Sequence, residues 1–244
     1  MLDVDAYRRD GYAVIRGVLT AGEVGEYRAE AQRLLETCNA DPSSYEERIQ
    51  WEVDYLAPAD AAGMEQVIRK LEPISDISEP MMKLAFRPGV VDAAESIFGE
   101  PVELFEDKLN LKLPGGSPYP WHQDWSCCWR AHTDELITCF VYLDDADETN
   151  GCLQVVPGSH LGKPTHPFRD GGHFEVTPEA VPQDKITPVP LRAGDMIAFD
   201  PYLLHYSDLN RSRSTRMAIV YTYNPARLGR INEDRFPVRM APQS

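Results

Sequence analysis

The chain has 244 residues, 43% hydrophobic and 9% aromatic, enough to bury a core and to exclude a disordered polypeptide. Its 24 Lys and Arg face 39 Asp and Glu, a formal charge of −15. Nucleic acid and anionic membranes both need a basic footprint, so neither is an expected partner. No apolar run approaches a membrane span, and the N-terminal MLDVDAYRRDGY has no apolar signal core.

Residues 11–19, GYAVIRGVL, alternate and are β-branched, which predicts a first strand. Thr20 and Glu23 then form the T-x-x-E of a capping box. Val24, Tyr27, Ala31, Leu34, Leu35 and Cys38 follow at helical spacing, and Asp41, Pro42 and Ser43 end that helix. Residues 61–98 read as one or two further helices, broken around Pro73, Pro80 and the Pro88–Gly89 pair. From Pro101 the chain reads as short strands between Gly, Pro, Asn and Asp: 102–113, 120–124, 136–144, 152–157, 186–191, 195–200 and 215–223. Residues 160–185 form a long irregular loop, and the tail after Tyr223 carries Arg227, Arg230, Arg235 and Arg239 as a solvated face. The expectation is one α+β, mainly β domain over 1–244. A helical part (1–100) braces a sandwich or barrel core (about 101–223), and a tail (224–244) follows.

The five cysteines, at 38, 127, 128, 139 and 152, lack the paired spacing of a zinc site. Adjacent Cys127 and Cys128 read as small buried residues beside a strand, and a reducing, cytoplasmic setting is expected.

The chemistry concentrates in PWHQDWSCCW, residues 120–129. On a strand, His122 and Asp124 share one face, with Trp121 and Trp125 turned away into packing. Two metal-capable groups are half a site. Of the other histidines, His160 reads as a turn residue, and His132, His166 and His173 lie in polar loops. His205 ends the strand-like run DPYLL, and a hairpin-like return places 215–223 beside it. Arg216 then shares an inward apolar face with Ala218, Val220 and Thr222, and a buried cation needs an anion. Two His and one Asp on one face of an octahedral metal match non-haem Fe(II) oxygenases. A 2-oxo acid would fill two of the remaining positions and dioxygen the last. Arg216 would pair with the far carboxylate of the 2-oxo acid, and Ser207 would donate to it.

PWHQD, then DETNGCLQVVPGSH, then DPYLLHYSDLNRSRSTRMA resemble the phytanoyl-CoA dioxygenase (PhyH) family of Fe(II)/2-oxoglutarate oxygenases, from about Lys108 to Tyr223. The resemblance implies a double-stranded β-helix, a jelly-roll of cupin type, behind N-terminal helices. It also implies His122, Asp124 and His205 as iron ligands, with Arg216 and Ser207 on 2-oxoglutarate. Lys112 matches a lysine that contacts the co-substrate in some members. Phe140 stands where some members carry a tryptophan beside it, so an aromatic wall is kept and an indole N–H lost. Relatives that halogenate carry a small residue where Asp124 stands, which disfavours halogenation here.

The implied activity is oxidation of an unactivated C–H of a small metabolite or natural-product intermediate, with succinate and carbon dioxide as co-products. Trp129, His132 and the loop with His166, Arg169 and His173 would line the mouth. The alternative is a non-catalytic cupin-type metal- or small-molecule-binding protein. A hydrolytic zinc enzyme would need Glu103 or Glu106 as acid/base, and neither has motif context. Substrate, oligomeric state and the branch from the substrate radical are not legible.

Overall fold

The computed structural model describes residues 2–56, 62–127, 129–167 and 175–232. The Thr20 capping box is present as expected: its side chain accepts from Glu23 N, and the Glu23 carboxylate accepts from Thr20 N at 2.8 Å. It starts α2 (Ala21–Ala40), which follows α1 (Val4–Asp10) and β1 (Tyr12–Ile15). The 61–98 segment departs from the expected helices. β2 (Ile49–Trp51) pairs with β3 (Ile68–Leu71), and only then come α3 (Glu79–Ala85) and α4 (Val91–Phe98). Ile68 and Leu71 lie three apart, a helical spacing, and pairing with β4 (Val102–Lys112) overrides it in favour of a strand. The N-terminal hundred residues are therefore not purely helical.

The remaining elements are β5 (Tyr119–His122), the short turn α5 (Asp124–Cys127), β6 (Ile137–Tyr142), β7 (Leu153–Val155), β8 (Thr187–Val189), β9 (Met196–Phe199), β10 (His205–Ser207) and β11 (Arg216–Pro225). They form two antiparallel sheets, ordered β1-β9-β6-β11-β4-β3-β2 and β5-β10-β7-β8. This is the expected jelly-roll.

Each face of the large sheet has its own cover. On the outer face Leu109, Leu111, Ile219, Tyr221, Cys139 and Val141 join the buried apolar residues of α2, α3 and α4 in one cluster. The Tyr221 and Tyr223 hydroxyls donate to Met81 O and Ala85 O, both at 2.6 Å, and the second gives a partner to the last carbonyl of α3. The inner face meets the small sheet through Tyr142, Ile197, Phe199 and Ala218 against Leu153, Val155 and Val189. Away from that apolar half, the inner face is polar.

Cross-strand register sets that polar half. Arg216, Ala218, Val220 and Thr222 of β11 pair with Lys112, Asn110, Lys108 and Glu106 of β4. On its other edge β11 pairs Ala218, Val220 and Thr222 with Tyr142, Phe140 and Thr138 of β6. Paired residues share a face, so β4 turns Glu106, Lys108, Asn110 and Lys112 inward with Arg216. One expectation is corrected here. β11 does not lie beside β10; the two belong to opposite sheets, because the 208–215 connection crosses between layers.

Candidate active site

His122 ends β5, and His205 opens β10 directly opposite it, with ring centroids 4.0 Å apart. Asp124 does not share their ladder, contrary to the strand expected over 120–124. The strand stops at His122 because Gln123 is pulled inward: its amide donates to Tyr202 O at 2.7 Å and Pro164 O at 2.9 Å. Trp125 N then bonds Pro201 O, and Asp124 opens the turn α5. The turn still brings Asp124 Oδ1 to 3.5 Å from His122 Nε2 and 3.6 Å from His205 Nε2. Among the described residues these three are the group placed to hold a metal ion, their ligand atoms within 4.8 Å of one another.

The surrounding bonds orient each donor. His122 Nδ1 lies 2.6 Å from Pro120 O, and His205 Nδ1 lies 3.0 Å from Leu203 O. A carbonyl only accepts, so each Nδ1 carries the proton and each Nε2 keeps its lone pair for a metal. Thr138 Oγ1 donates to Asp124 Oδ2 at 3.1 Å, which leaves Oδ1 facing the imidazoles. Burial and the neighbouring His122 push His205 down to about 4 despite Asp124, so it is neutral and ligation-competent at pH 7. Burial alone would raise Asp124, but His205 and His122, with Lys108 behind them, hold it well below the usual range. Two neutral nitrogens and one carboxylate oxygen on one side of a point suit Fe(II) and leave the other side open.

A second group lies where β11 and β4 pair. Arg216 and Lys112 are cross-strand partners, 4% and 1% exposed, yet among the described residues neither has a carboxylate within ion-pair distance. Arg216 Nη1 donates to Gly151 O, while its Nε has no partner, nor does the nearby buried Tyr142 Oη. Lys112 Nζ donates to Ser207 Oγ at 2.7 Å, to Ser207 O at 3.1 Å and to Asp208 O. A buried guanidinium without an anion, beside unused polar atoms, is a group that a carboxylate ligand would satisfy. Ser207, on β10 two residues past His205, ties this pocket to the metal cluster.

Phe140 lies on the inner face, packed on Phe199 at 5.3 Å; Phe199 in turn lies 4.8 Å from the His205 ring. Trp121 stacks on Tyr206 at 5.3 Å and Trp125 on Tyr202 at 4.8 Å, consistent with packing roles. Trp129 is not at the mouth: it is 3% exposed, edge-on to Phe105, with Nε1 donating to Glu106. His132 is exposed against Ile231 O, and His160 is buried in its turn. His166 is half-buried, and its Nε2 has no partner. Arg169, His173, Cys128 and the side chain of Cys127 lie outside the described residues.

Sequence reasoning passed over Thr138, Tyr142, Gly151, Lys108 and Asn110. The signal for the last two was present in EDKLNLKL, where Glu106, Lys108, Asn110 and Lys112 recur at period two. Such alternation usually marks a solvent face; here it marks the inner wall.

A jelly-roll presenting two histidines and one carboxylate, with a buried and unpaired arginine on the facing sheet, has the features of a non-haem iron oxygenase of the 2-oxo-acid-dependent class. The comparisons agree. The Phytanoyl-CoA dioxygenase (PhyH) profile matches residues 7–218, and the chain belongs to that family. It is 31% identical over 182 residues to the L-proline trans-4-hydroxylase of Streptomyces griseoviridis, covering 64% of this chain and 67% of that protein. It is 25% identical over 236 residues to the 2-aminoethylphosphonate dioxygenase of Uncultured bacterium HF130_AEPn_1, covering 94% and 83%. Among solved structures, the epimerase SnoN in complex with Fe3+, alpha ketoglutarate and nogalamycin RO superposes with a TM-score of 0.71. The identity there is 29%, covering 91% of this chain and 82% of that one.

Proposed function

We propose that this Fe(II)/2-oxoglutarate dioxygenase hydroxylates an unactivated C–H of a small metabolite or natural-product intermediate. The observation that carries the reading is the pairing of the His122–Asp124–His205 cluster with the unpaired buried guanidinium of Arg216 and the buried Lys112 amine beside it. A metal-binding protein without turnover would have no use for that second group. His122 Nε2, Asp124 Oδ1 and His205 Nε2 would hold the iron. When bound, iron and 2-oxoglutarate supply the oxidising power, with dioxygen as oxidant and succinate and carbon dioxide as co-products.

The chain's own residues bind, orient and exclude water. Arg216 would receive the distal carboxylate of the co-substrate, with Gly151 O holding one guanidinium nitrogen and Nε left for the ligand. Lys112 would set the Ser207 hydroxyl toward the same carboxylate. Phe140 and Phe199 would wall the pocket with apolar surface behind His205. The Asp124 carboxylate keeps the third protein position filled, so hydroxyl transfer is favoured over halogenation.

The same reading takes 1–244 as one oxygenase domain, supported by β1, β2 and β3 joining the large sheet. A cytoplasmic setting is supported by the free, buried Cys38, Cys139 and Cys152. Among the described residues no helix is long and apolar enough to cross a membrane.

The test is an anaerobic titration of apo-protein with Fe(II), then 2-oxoglutarate, followed in the visible region. The expected result is a metal-to-ligand charge-transfer band that Arg216→Ala loses at the same 2-oxoglutarate concentration. Iron uptake with no band at any concentration would overturn the reading.

A further inference from the structure

Beyond the metal cluster and the carboxylate receptor, the inner wall holds four charged side chains that the proposed function leaves unused. Lys108 pairs with Glu106, and Lys70 with Glu72. Lys70 stands opposite Asn110 on β3, next along the wall from Lys108. Trp129 Nε1 donates to the second oxygen of Glu106 at 3.2 Å, and its ring centroid lies 5.7 Å from Lys108 Nζ. The cluster lies within electrostatic reach of the metal ligands. Against the opposing pull of burial, Glu106 and Glu72, and after them Asp124, hold Lys108 well above its ordinary value, and Lys108 acts in turn on His205. Burial, then Glu72, raises Glu106.

Buried ion pairs seldom contribute net stability, so such a cluster beside a reaction centre points to recognition. Its exposure is uneven. The lysine side chains are 14% and 15% accessible, while Glu106 and Glu72 are 2% and 5% accessible. In each pair the lysine is thus the more accessible member. Donor counting agrees. Both oxygens of Glu106 already accept, one from Lys108 and one from Trp129. An ammonium has three N–H donors, and the bond to Glu106 uses one of those on Lys108. Lys108 thus keeps N–H capacity beyond its bond to Glu106, and the strongest match for a desolvated ammonium is an anion.

We propose that the substrate carries an anionic head, a carboxylate or phosphonate, seated on Lys108 with Lys70 beside it. This rests on the oxygenase reading and names the substrate class for it. Register adds a length. Val220 pairs with Lys108 on one side and Phe140 on the other, so β4 and β6 lie two interstrand steps apart, about 10 Å. Asp124 is held over the β6 side by Thr138. The oxidised carbon and the head therefore lie within about 10 Å of each other, the span of a small molecule. Arg216 and Lys112 serve the co-substrate farther along the same strands, so two anions bind at opposite ends of one wall.

The probe is propionate, titrated by calorimetry into anaerobic protein saturated with Fe(II) and 2-oxoglutarate. Propanol and propylammonium serve as the neutral and cationic counterparts. Propionate should bind saturably, and the other two should not. Lys108→Arg should keep the affinity within about threefold, as a charge-assisted donor does. Because Lys108→Met alone strands the Glu106 carboxylate, the informative loss is in Lys108→Met with Glu106→Gln, expected to weaken propionate by about tenfold or more. Unchanged propionate binding in the double variant would overturn the assignment. So would binding of propylammonium in place of propionate, or no saturable propionate binding to wild-type protein that shows the charge-transfer band. Absence of the band itself would sink the co-substrate reading, while the difference between wild type and the double variant would still report on Lys108.

Discussion

Thr138 on β6 donates its hydroxyl to Asp124 Oδ2 at 3.1 Å, and this bond turns the other carboxylate oxygen toward both imidazoles. Asp124 sits on a turn, so the strand ladder does not hold it. The hydroxyl supplies part of that constraint. Thr138→Val keeps the shape and removes the bond. Metal affinity is expected to fall by about 10- to 100-fold, the usual range for groups supporting a ligand. Competitive titration against a colorimetric chelator measures it. His205→Ala, in contrast, should abolish metal binding and turnover together, and iron retained in that variant would disprove its role as ligand.

Arg216→Ala should leave iron binding in place and raise the 2-oxoglutarate requirement. Losing one partner of a buried, hydrogen-bonded charge pair costs about 3 kcal/mol, which is about 100-fold. Steady-state succinate release against 2-oxoglutarate concentration checks this, and wild-type behaviour at low co-substrate would refute it.

Gly151 should share that phenotype through geometry. Its φ is +72°, and a Cβ there would clash with Asp208 O, in the segment that Lys112 also holds. Gly151→Ala must displace either Asp208 or the Gly151 carbonyl that accepts from Arg216. Weaker co-substrate binding with an unchanged metal affinity is the expected signature, read by the same two assays.

Burial, then Arg216 and Arg69, push Lys112 down to about 5. A carboxylate arriving beside it favours the charged form, so the bound-state value rises. Between these two values, 2-oxoglutarate binding should therefore take up a proton, and near pH 7 the uptake should fall in Lys112→Met. Calorimetry in buffers of different ionisation enthalpy measures it. Buffer-independent heats would show that Lys112 keeps one protonation state throughout.

The capping box of α2 predicts an acid-side loss of stability. Thr20, through its backbone N–H and its hydroxyl, and then Arg87, hold Glu23 at about 2, below its ordinary value of 4.5. A depressed carboxylate contributes fully above the unfolded value, and the contribution is lost as pH falls through the folded one. The loss thus spans roughly pH 4.5 to 2. Glu23→Gln should flatten that limb of the stability curve. Thr20→Ala should cost about 1 kcal/mol near neutral pH. Urea unfolding at several pH values tests both.

Local patterns carried much of this protein. The capping box, the strands from β4 onward and the order of His122, Asp124, His205 and Arg216 are all readable along the chain. Each depends on neighbours in sequence: a side chain three residues on, an alternation of period two, a spacing of eleven. Fold class followed from the same signals, and the family resemblance named the ligands.

What failed or stayed silent depended on partners distant in sequence. Residues 68–71 became a strand because β4 was there to pair with, and 120–124 lost its last strand residues because Tyr202 O and Pro164 O captured Gln123. The strand of Arg216 was expected beside that of His205 but belongs to the opposite sheet, since chain separation carries no information about which layer a strand joins. The polar alternation of β4 is identical whether it faces water or a cavity. Only the closing of the small sheet over the large one turns Lys108, Asn110 and Lys112 from a surface into a wall. Sequence determined which chemistry this chain can hold; the packing of two sheets decided where the charges of that chemistry meet.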